Sequence, residues 1–399
     1  MSAPVAHEGI SFKPTEEQEM IVRSVEEFAT REIKPHVRFI DDNAYTEEGI
    51  KKLFELRKKA AEQGILRLGI PPEYGGEEVS AITIGMVVGA LARQIGSYTM
   101  ISPVGAKGLP YLVANYGTEE QKKTILPQIA RGELDVGIAT TEPDCGSDAA
   151  AIKTRAVKDG DDYVITGEKT FISHVMYGNM LLVFCKTNPE QKHRGVSSIL
   201  VEMDRPGIRR SPIRTMGRRH EGFGSVWFDQ VRVPASNLVG EEGMGFIYAK
   251  KTFDRMRAIN SLGYLGIAEG ALQESIEYVR HRHAFGRPLG KFEAINFRIA
   301  EDYTTLEAAR LLCLKTLWMM DQKMDIAKEA AMVKSWVPVV AFNTVNNCLQ
   351  NKGALGYTLD SMDEYRLREV RSAWIGDGPI EIMKMVVGRE ILGKECNPL

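Results

Sequence analysis

One carboxylate stands apart in the sequence. Asp377 lies alone between two glycines in Trp374-Ile375-Gly376-Asp377-Gly378-Pro379, just before an apolar-periodic run from Ile380 to Leu392. Glycine on either side frees the backbone to bend and leaves the acid unshielded, and Pro379 suits a first helical position because its missing N–H has no partner there. An acid so placed can cap the helix by accepting backbone N–H bonds, or it can act as a base at the helix entrance. A second polar cluster runs from Ala139 to Asp148 and includes Thr140, Thr141, Glu142, Pro143, Gly146 and Ser147. Hydroxyls and free N–H groups there can satisfy the polar edge of a flat ring without setting a positive charge beside it, although such a segment is most often only a loop. Thr166–His174 reads as a turn followed by a strand, with Phe171 in a core and His174 structural. Arg282-His283-Ala284-Phe285-Gly286 joins an arginine, whose fork fits a pyrophosphate, to a glycine that permits close backbone approach. Basic residues at a helix end also commonly serve its carbonyls. His281 and His283, without carboxylates or thiols nearby, make a poor metal site.

These groups need scaffolds of two kinds. From Thr15 to about Arg131 apolar residues recur at three- and four-residue spacing, as in Glu17–Ile33 and Thr46–Gln63, interrupted by a glycine- and proline-rich turn at 69–76. Short β-branched runs follow at Asp162–Ile165, Met180–Cys185, Ser197–Val201 and Ser225–Val231, which argues for a small antiparallel barrel or sandwich. Long helical patterns resume at roughly 246–283, 292–321, 325–350 and 361–392, enough for a four-helix bundle. The expectation is an α+β chain with a helical unit at 1–135, a β unit at 136–240 and a helical bundle at 241–399.

With 399 residues the chain is long enough for two or three packed units. Its 51 basic and 53 acidic residues leave a net charge of −2, which gives no electrostatic case for nucleic acid or an anionic membrane. Five widely spaced cysteines without CxxC pairs favour free thiols in a reducing compartment and speak against bound metal. Met1–Phe12 has neither the arginines of a transit peptide nor the apolar core of a signal peptide, and no stretch reaches the length of a membrane span, so a cytoplasmic location is expected.

The motifs, taken in order, resemble those of acyl-CoA dehydrogenases over nearly the whole chain, from about residue 15 to 395. Ile375–Leu392 resembles the family's C-terminal signature, whose Tyr-Glu-Gly-Thr turn carries the catalytic base. Asp377 falls on the glutamate, Gly376 on the tyrosine and Pro379 on the threonine, while Met383 replaces a polar residue. Thr141–Asp148 matches Thr-Glu-Pro-x-x-Gly-Ser-Asp at every fixed position, and Gln350–Tyr357 matches Gln-x-x-Gly-Gly-x-Gly-Tyr except at Ala354.

The resemblance implies FAD as cofactor, an acyl-CoA substrate, an electron-transferring flavoprotein as acceptor, and a homotetramer. It places Thr140, Thr141, Ser147, Phe171, Ser173, Arg282, Phe285, Asn296, Gln350, Gly353 and Glu381 on the cofactor, with Phe171 against the isoalloxazine and Ser173 near flavin N5. The arginine and glutamine motifs would reach the pyrophosphate and adenine across a subunit interface. Ser147, Asp254, Arg257, Gly376, Gly89 and Ala90 would line the substrate, and Asp377 would be the base, because Met256 occupies the alternative base position. The shortened acid and the small Gly376, Gly89 and Ala90 point to a pocket widened around Cα and Cβ. That choice of residues resembles the cyclohexane- and cyclohexene-carboxyl-CoA dehydrogenases, and implies an alicyclic carboxyl-CoA. Linear or branched acyl-CoA oxidation, an oxidase, an enoyl-CoA reductase and a non-catalytic scaffold remain as alternatives.

Overall fold

Hydroxyl side chains start most of the N-terminal helices. In the computed structural model, which describes residues 13–396 apart from 103, 105 and 106, Thr15 closes a capping box with Gln18 at the head of α1 (Glu16–Phe28). After the short α2 (Val37–Asp42), Thr46 caps α3 (Glu47–Glu62) and Ser80 caps α4 (Ala81–Ile95). The proline-started α5 (Leu109–Tyr116) leads to a second capping box, Thr118 with Gln121, at α6 (Glu119–Ala130). Each cap satisfies N–H groups that the first helical turn leaves unpaired. The periodicity over Glu17–Ile33 is not one α-helix: the chain loosens into a single π turn at Ala29–Ile33 just before Pro35, which cannot donate to a continuing helix. The segment Met1–Phe12, expected to carry no targeting signal, lies outside the described residues. No described helix is long and apolar enough to cross a membrane.

The middle of the chain forms one curled seven-stranded sheet. Its strands are β1 (Val136–Ala139), β2 (Arg155–Asp159), β3 (Asp162–Ile172), β4 (Met180–Lys186), β5 (Val196–Glu202), β6 (Ile208–Pro212) and β7 (Gly224–Pro234), ordered β1-β4-β2-β3-β7-β6 with β5 also on β4. The four expected runs fall inside β3, β4, β5 and β7. The sheet is not wholly antiparallel as expected: β1 pairs parallel with β4, Val136 facing Met180 through Ala139 facing Val183. The long excursion through β2 and β3 supplies the crossover that a parallel pair requires.

The last part of the chain is helical: α7 (Gly245–His281), a two-stranded hairpin of β8 (His283–Ala284) and β9 (Arg287–Pro288), α8 (Glu293–Asp321), α9 (Ala327–Lys352), α10 (Asp363–Arg371) and α11 (Ile380–Leu392). The helical pattern at 361–392 is therefore broken in two, and Asp377 lies in the break. Pro379 is the extended residue before α11, with ψ 148°, and not its first helical residue. One core joins the two helical regions, with Val87, Val88 and Leu91 of α4, Ile259, Leu262 and Leu265 of α7, and Val333 and Val337 of α9 all buried.

The crossing of α4 and α7 corrects one expectation. Gly89 and Ala90 do not open a pocket, because backbone fills the space that larger side chains would take. A Cβ on Gly89 would lie 3.1 Å from the carbonyl oxygen of Leu262, a Cβ on Gly266 would lie 2.2 Å from that of Gly89, and Ala90 is buried in the same core. Two helices in backbone contact have little room to yield. Gly266→Ala is accordingly expected to destabilise the protein by about 1–3 kcal/mol. This would appear as a lower melting temperature, whereas Gly388→Ala, with nothing within 4 Å of the new methyl, leaves it unchanged or raised.

Candidate active site

The loop after β1 is fixed from beneath by a buried ion pair. Lys169 of β3 is fully buried, and its Nζ donates to Glu142 Oε1 at 2.8 Å and to the Thr140 carbonyl at 2.9 Å. The same carboxylate accepts the backbone N–H of Lys153 at 2.6 Å and of Thr154 at 3.0 Å. Burial alone would raise the Glu142 carboxyl, but Lys169 and these donors hold it below the usual range. The fixed Glu of one motif and the fixed Lys of the next are thus each other's partners. Their charges cancel inside the protein, and hydroxyls and N–H groups are left on the loop's other side.

Thr141 and Phe171 meet at this edge, because the Thr170 N–H donates to the Thr141 carbonyl at 2.9 Å. Phe171 is not a core residue, as the plain reading of its strand had it. It is 63% exposed, at a left-handed φ of 54° that a non-glycine residue adopts only at a cost. Ser173 follows it half-buried, and Ser147 is exposed on the facing loop. His174 is buried with Nδ1 2.9 Å from Asp135, which also pairs with Arg57 at 3.0 Å, so it is a structural residue at the seam with the N-terminal helices. The Thr140 hydroxyl is buried without a partner among the described residues. A buried hydroxyl without a described partner and an exposed aromatic ring on a left-handed backbone are features that a flavin ring would fit.

A cavity of ≈ 140 Å³ opens from Thr140 to α7, walled by Ala149, Ile152, Phe184, Phe246, Phe253 and Arg257. Arg257 ends it. Its Nη1 donates to Asp254 at 2.8 Å, and its Nε donates to the main-chain carbonyl of Asp377 at 2.7 Å. Asp254 is buried and spends its charge on Arg257 and Lys250. The Asp377 turn is held from α9 as well: Lys334 Nζ donates to the carbonyls of Ala373 at 2.6 Å and Gly378 at 2.9 Å. Burial pushes that ammonium down to about 8, against the opposing charge of Asp377. Asp377 itself has φ 57°, the left-handed region, which only the surrounding anchors can maintain. Its Oδ2 accepts from Asn260 Nδ2 at 3.3 Å, and Asn260 Oδ1 accepts from the buried ammonium of Lys107 at 2.9 Å. The space beside Gly376 faces Arg218, whose Nη1 would lie 3.4 Å from an added Cβ. Glu381, in the first turn of α11, is exposed.

The remaining expected cofactor residues are gathered elsewhere. Arg282 and Phe285 lie on the hairpin after α7, Asn296 at the start of α8, and Gln350 and Gly353 at the end of α9, all exposed. Arg298 Nη1 donates to Asn351 Oδ1 at 2.9 Å and ties the two helix ends together. From Arg257 to Arg282 is 25 residues of α7, roughly 37 Å at 1.5 Å per residue. Along the helix this second group is well removed from the Asp377 turn.

Sequence reading missed Lys107, Arg218, Asn260, Tyr264 and Lys334. A signal existed for the first: Lys107 is the single charged residue between Arg93 and Glu119.

Comparison with known proteins identifies the family and its fold. Residues 15–133, 137–231 and 243–392 match the N-terminal, middle and C-terminal domains of acyl-CoA dehydrogenase. The chain is 34% identical to the cyclohex-1-ene-1-carbonyl-CoA dehydrogenase of Syntrophus aciditrophicus, across 95% of this chain and 90% of that one. It is also 34% identical to the acryloyl-CoA reductase (NADH) of Anaerotignum propionicum, across 96% of each. The crystal structure of acyl-CoA dehydrogenase from Geobacillus kaustophilus superimposes with a TM-score of 0.89 at 30% identity, covering 96% of this chain and all of that one. The chain belongs to the acyl-CoA dehydrogenase family, whose enzymes are FAD-dependent.

Breaking the buried pair under the loop tests its structural part. Lys169→Met leaves the Glu142 carboxylate buried without its cation and is expected to cost about 3–5 kcal/mol. A melting temperature equal to that of the parent would remove the pair from this role.

Proposed function

We propose that this protein oxidises an alicyclic carboxyl-CoA thioester between Cα and Cβ, with Asp377 removing the α-proton. The observation that carries the reading is the Asp377 turn: a half-buried carboxylate in a left-handed conformation, clamped through its neighbouring carbonyls by Arg257 and Lys334 at the inner end of the cavity. The thioester chain lies along Phe253 and Arg257, which brings its Cα beneath the carboxylate. Asn260 steadies the ionised acid with one hydrogen bond. The backbone N–H of Asp377 donates to the thioester carbonyl and stabilises the enolate-like charge that grows there as the proton leaves.

FAD, held by Thr140, Thr141, Ser147, Phe171 and Ser173, supplies the acceptor for the β-hydride. Arg282, Phe285, Asn296, Gln350 and Gly353 hold its distant part on a neighbouring copy, in keeping with a homotetramer. The distance along α7 supports that division, as does exposed apolar surface on the same end of the bundle, where Phe285 is 94% and Tyr357 84% exposed. Electrons then leave to an electron-transferring flavoprotein.

The ring preference rests on the acid being about 1.3 Å shorter than a glutamate, on Gly376, and on relatives named as cyclohex-1-ene-1-carbonyl-CoA dehydrogenases. Gly89 and Ala90 lend it nothing. A second reading, reduction of an enoyl-CoA at the same site, is favoured by the equally similar relative named as an acryloyl-CoA reductase.

Two measurements check these statements. Asp377→Asn is nearly isosteric but accepts no proton, so it should keep FAD and ligand while losing about 10²–10⁴-fold in the rate of anaerobic flavin bleaching. Bleaching at the parental rate would put the base elsewhere. In competition, cyclohexanecarboxyl-CoA or cyclohex-1-enecarboxyl-CoA should exceed butyryl- and octanoyl-CoA in kcat/KM. The reverse order would end the alicyclic assignment and leave the family chemistry standing.

A further inference from the structure

Beyond Arg257 the same face of α7 turns from apolar to polar. Phe253, Arg257, Asn260 and Tyr264 follow one another at spacings of four, three and four residues and so form one stripe of the helix. The first two line the cavity, and the last two lie deeper, beside Asp377. Facing them is Lys107, 5% exposed, with a single hydrogen-bond acceptor for its three N–H groups among the described residues, the Asn260 carbonyl oxygen. The Tyr264 hydroxyl is fully buried, and apart from the Tyr98 phenol beside it no hydrogen-bonding group among the described residues serves it.

Arg218 completes the group. Its Nε and Nη2 donate to Glu221 at 2.9 and 2.5 Å, while Nη1 lies toward the open side of Gly376. Its guanidinium also stacks 5.3 Å above Tyr98, whose ring meets that of Tyr264 edge-on at 4.7 Å. These groups feel one another. Burial raises both phenols, with the Asp377 charge adding to the rise and Arg218 opposing it, and burial lowers Lys107 to about 8 against the pull of Asp377 and Glu221.

The charges are only partly balanced before any ligand enters, since Glu221 answers Arg218 but Asp377 faces both Lys107 and Lys334. The hydrogen bonds do not balance. The groups with capacity to spare here, the ammonium with its one acceptor, Nη1 and the Tyr264 hydroxyl, are all donors or can be. Burying donors against a hydrocarbon ring would leave them unsatisfied at about 1–3 kcal/mol for each. The space beside Gly376, which takes an added carbon at 3.4 Å from Nη1 without a clash, lies where such a donor would be used.

We infer that the acyl group carries an oxygen substituent beyond its reacting carbons, a carboxylate or a hydroxyl or oxo group, accepted by Lys107, Tyr264 and Arg218. This rests on the dehydrogenase reading and narrows its substrate from a plain ring to an oxygenated one. Lys107 and Tyr264 are the specificity-determining residues. A merely structural Lys107 would orient Asn260 and have no stake in what the acyl group bears.

The test uses the FAD-loaded protein and one carbon skeleton. Cyclohexanecarboxyl-CoA is compared with its hydroxy and oxo derivatives and with the mono-CoA thioester of a cyclohexanedicarboxylic acid. The readouts are kcat/KM for anaerobic bleaching of the parent and calorimetric Kd on the Asp377→Asn protein. At least one oxygenated thioester should bind tenfold or more tighter than the plain ring, and that ratio should fall severalfold toward one in Lys107→Met and in the near-isosteric Tyr264→Phe. A carboxylate leading the series identifies an anionic group, a hydroxyl or oxo group a neutral one, and either supports the inference. If the plain ring binds and reacts as well as every derivative, or the ratio is unmoved in Tyr264→Phe and in any folded Lys107→Met, the inference is overturned and the dehydrogenase reading stands. If no acyl-CoA binds or bleaches the flavin, both fall.

Discussion

Two cations, one buried and one half-buried, hold one turn, and the site depends on that hold. Arg257 from α7 and Lys334 from α9 take the carbonyls of Ala373, Asp377 and Gly378 as acceptors, so a turn between two helices is tied to the two helices packed beneath it. Without those bonds the left-handed Asp377 would have no reason to persist, since a non-glycine residue at φ 57° relaxes when nothing over-determines it. The break in the last helical run follows from the same need. A continuous helix would consume these carbonyls internally and turn the carboxylate with the helical period.

The β domain solves a related problem with the opposite means. Glu142 and Lys169 neutralise each other in the interior, and the carboxylate's remaining capacity goes to the backbone of Lys153 and Thr154. A buried pair of this kind contributes little net stability over an apolar replacement, but removing one partner is costly. Its effect is to fix the register of the Thr140–Thr141 loop against β3, which is what brings an orphaned hydroxyl and the exposed Phe171 to one edge.

Local signals in the sequence were sufficient for the helical ends, four of the seven strands of the curled sheet and the isolated acid. Capping residues, β-branched runs and glycine-flanked carboxylates act within a few residues of themselves. The site residues that were missed are placed by long-range contacts. Lys107 meets Asn260 across 153 positions, and Arg218 meets Gly376 through a fold that no periodicity reports. The parallel pairing of β1 with β4 is of the same kind. Gly89 shows the converse error: a glycine reveals that a side chain is missing, and only the packed structure reveals that the backbone of α7 has taken its place.

That distinction bears on how the space around Asp377 is used. Two glycines invite the thought of a roomier pocket, yet the one at 89 is sealed by Leu262 and the one at 376 looks onto a guanidinium. The room that remains is small, and its walls are donors. Width and polarity therefore change together here, and a substrate that used only the width would leave the Lys107 ammonium with the Asn260 oxygen as its one acceptor among the described residues. A pocket whose glycine faces an arginine is shaped less by the volume of its ligand than by the position of an oxygen on it.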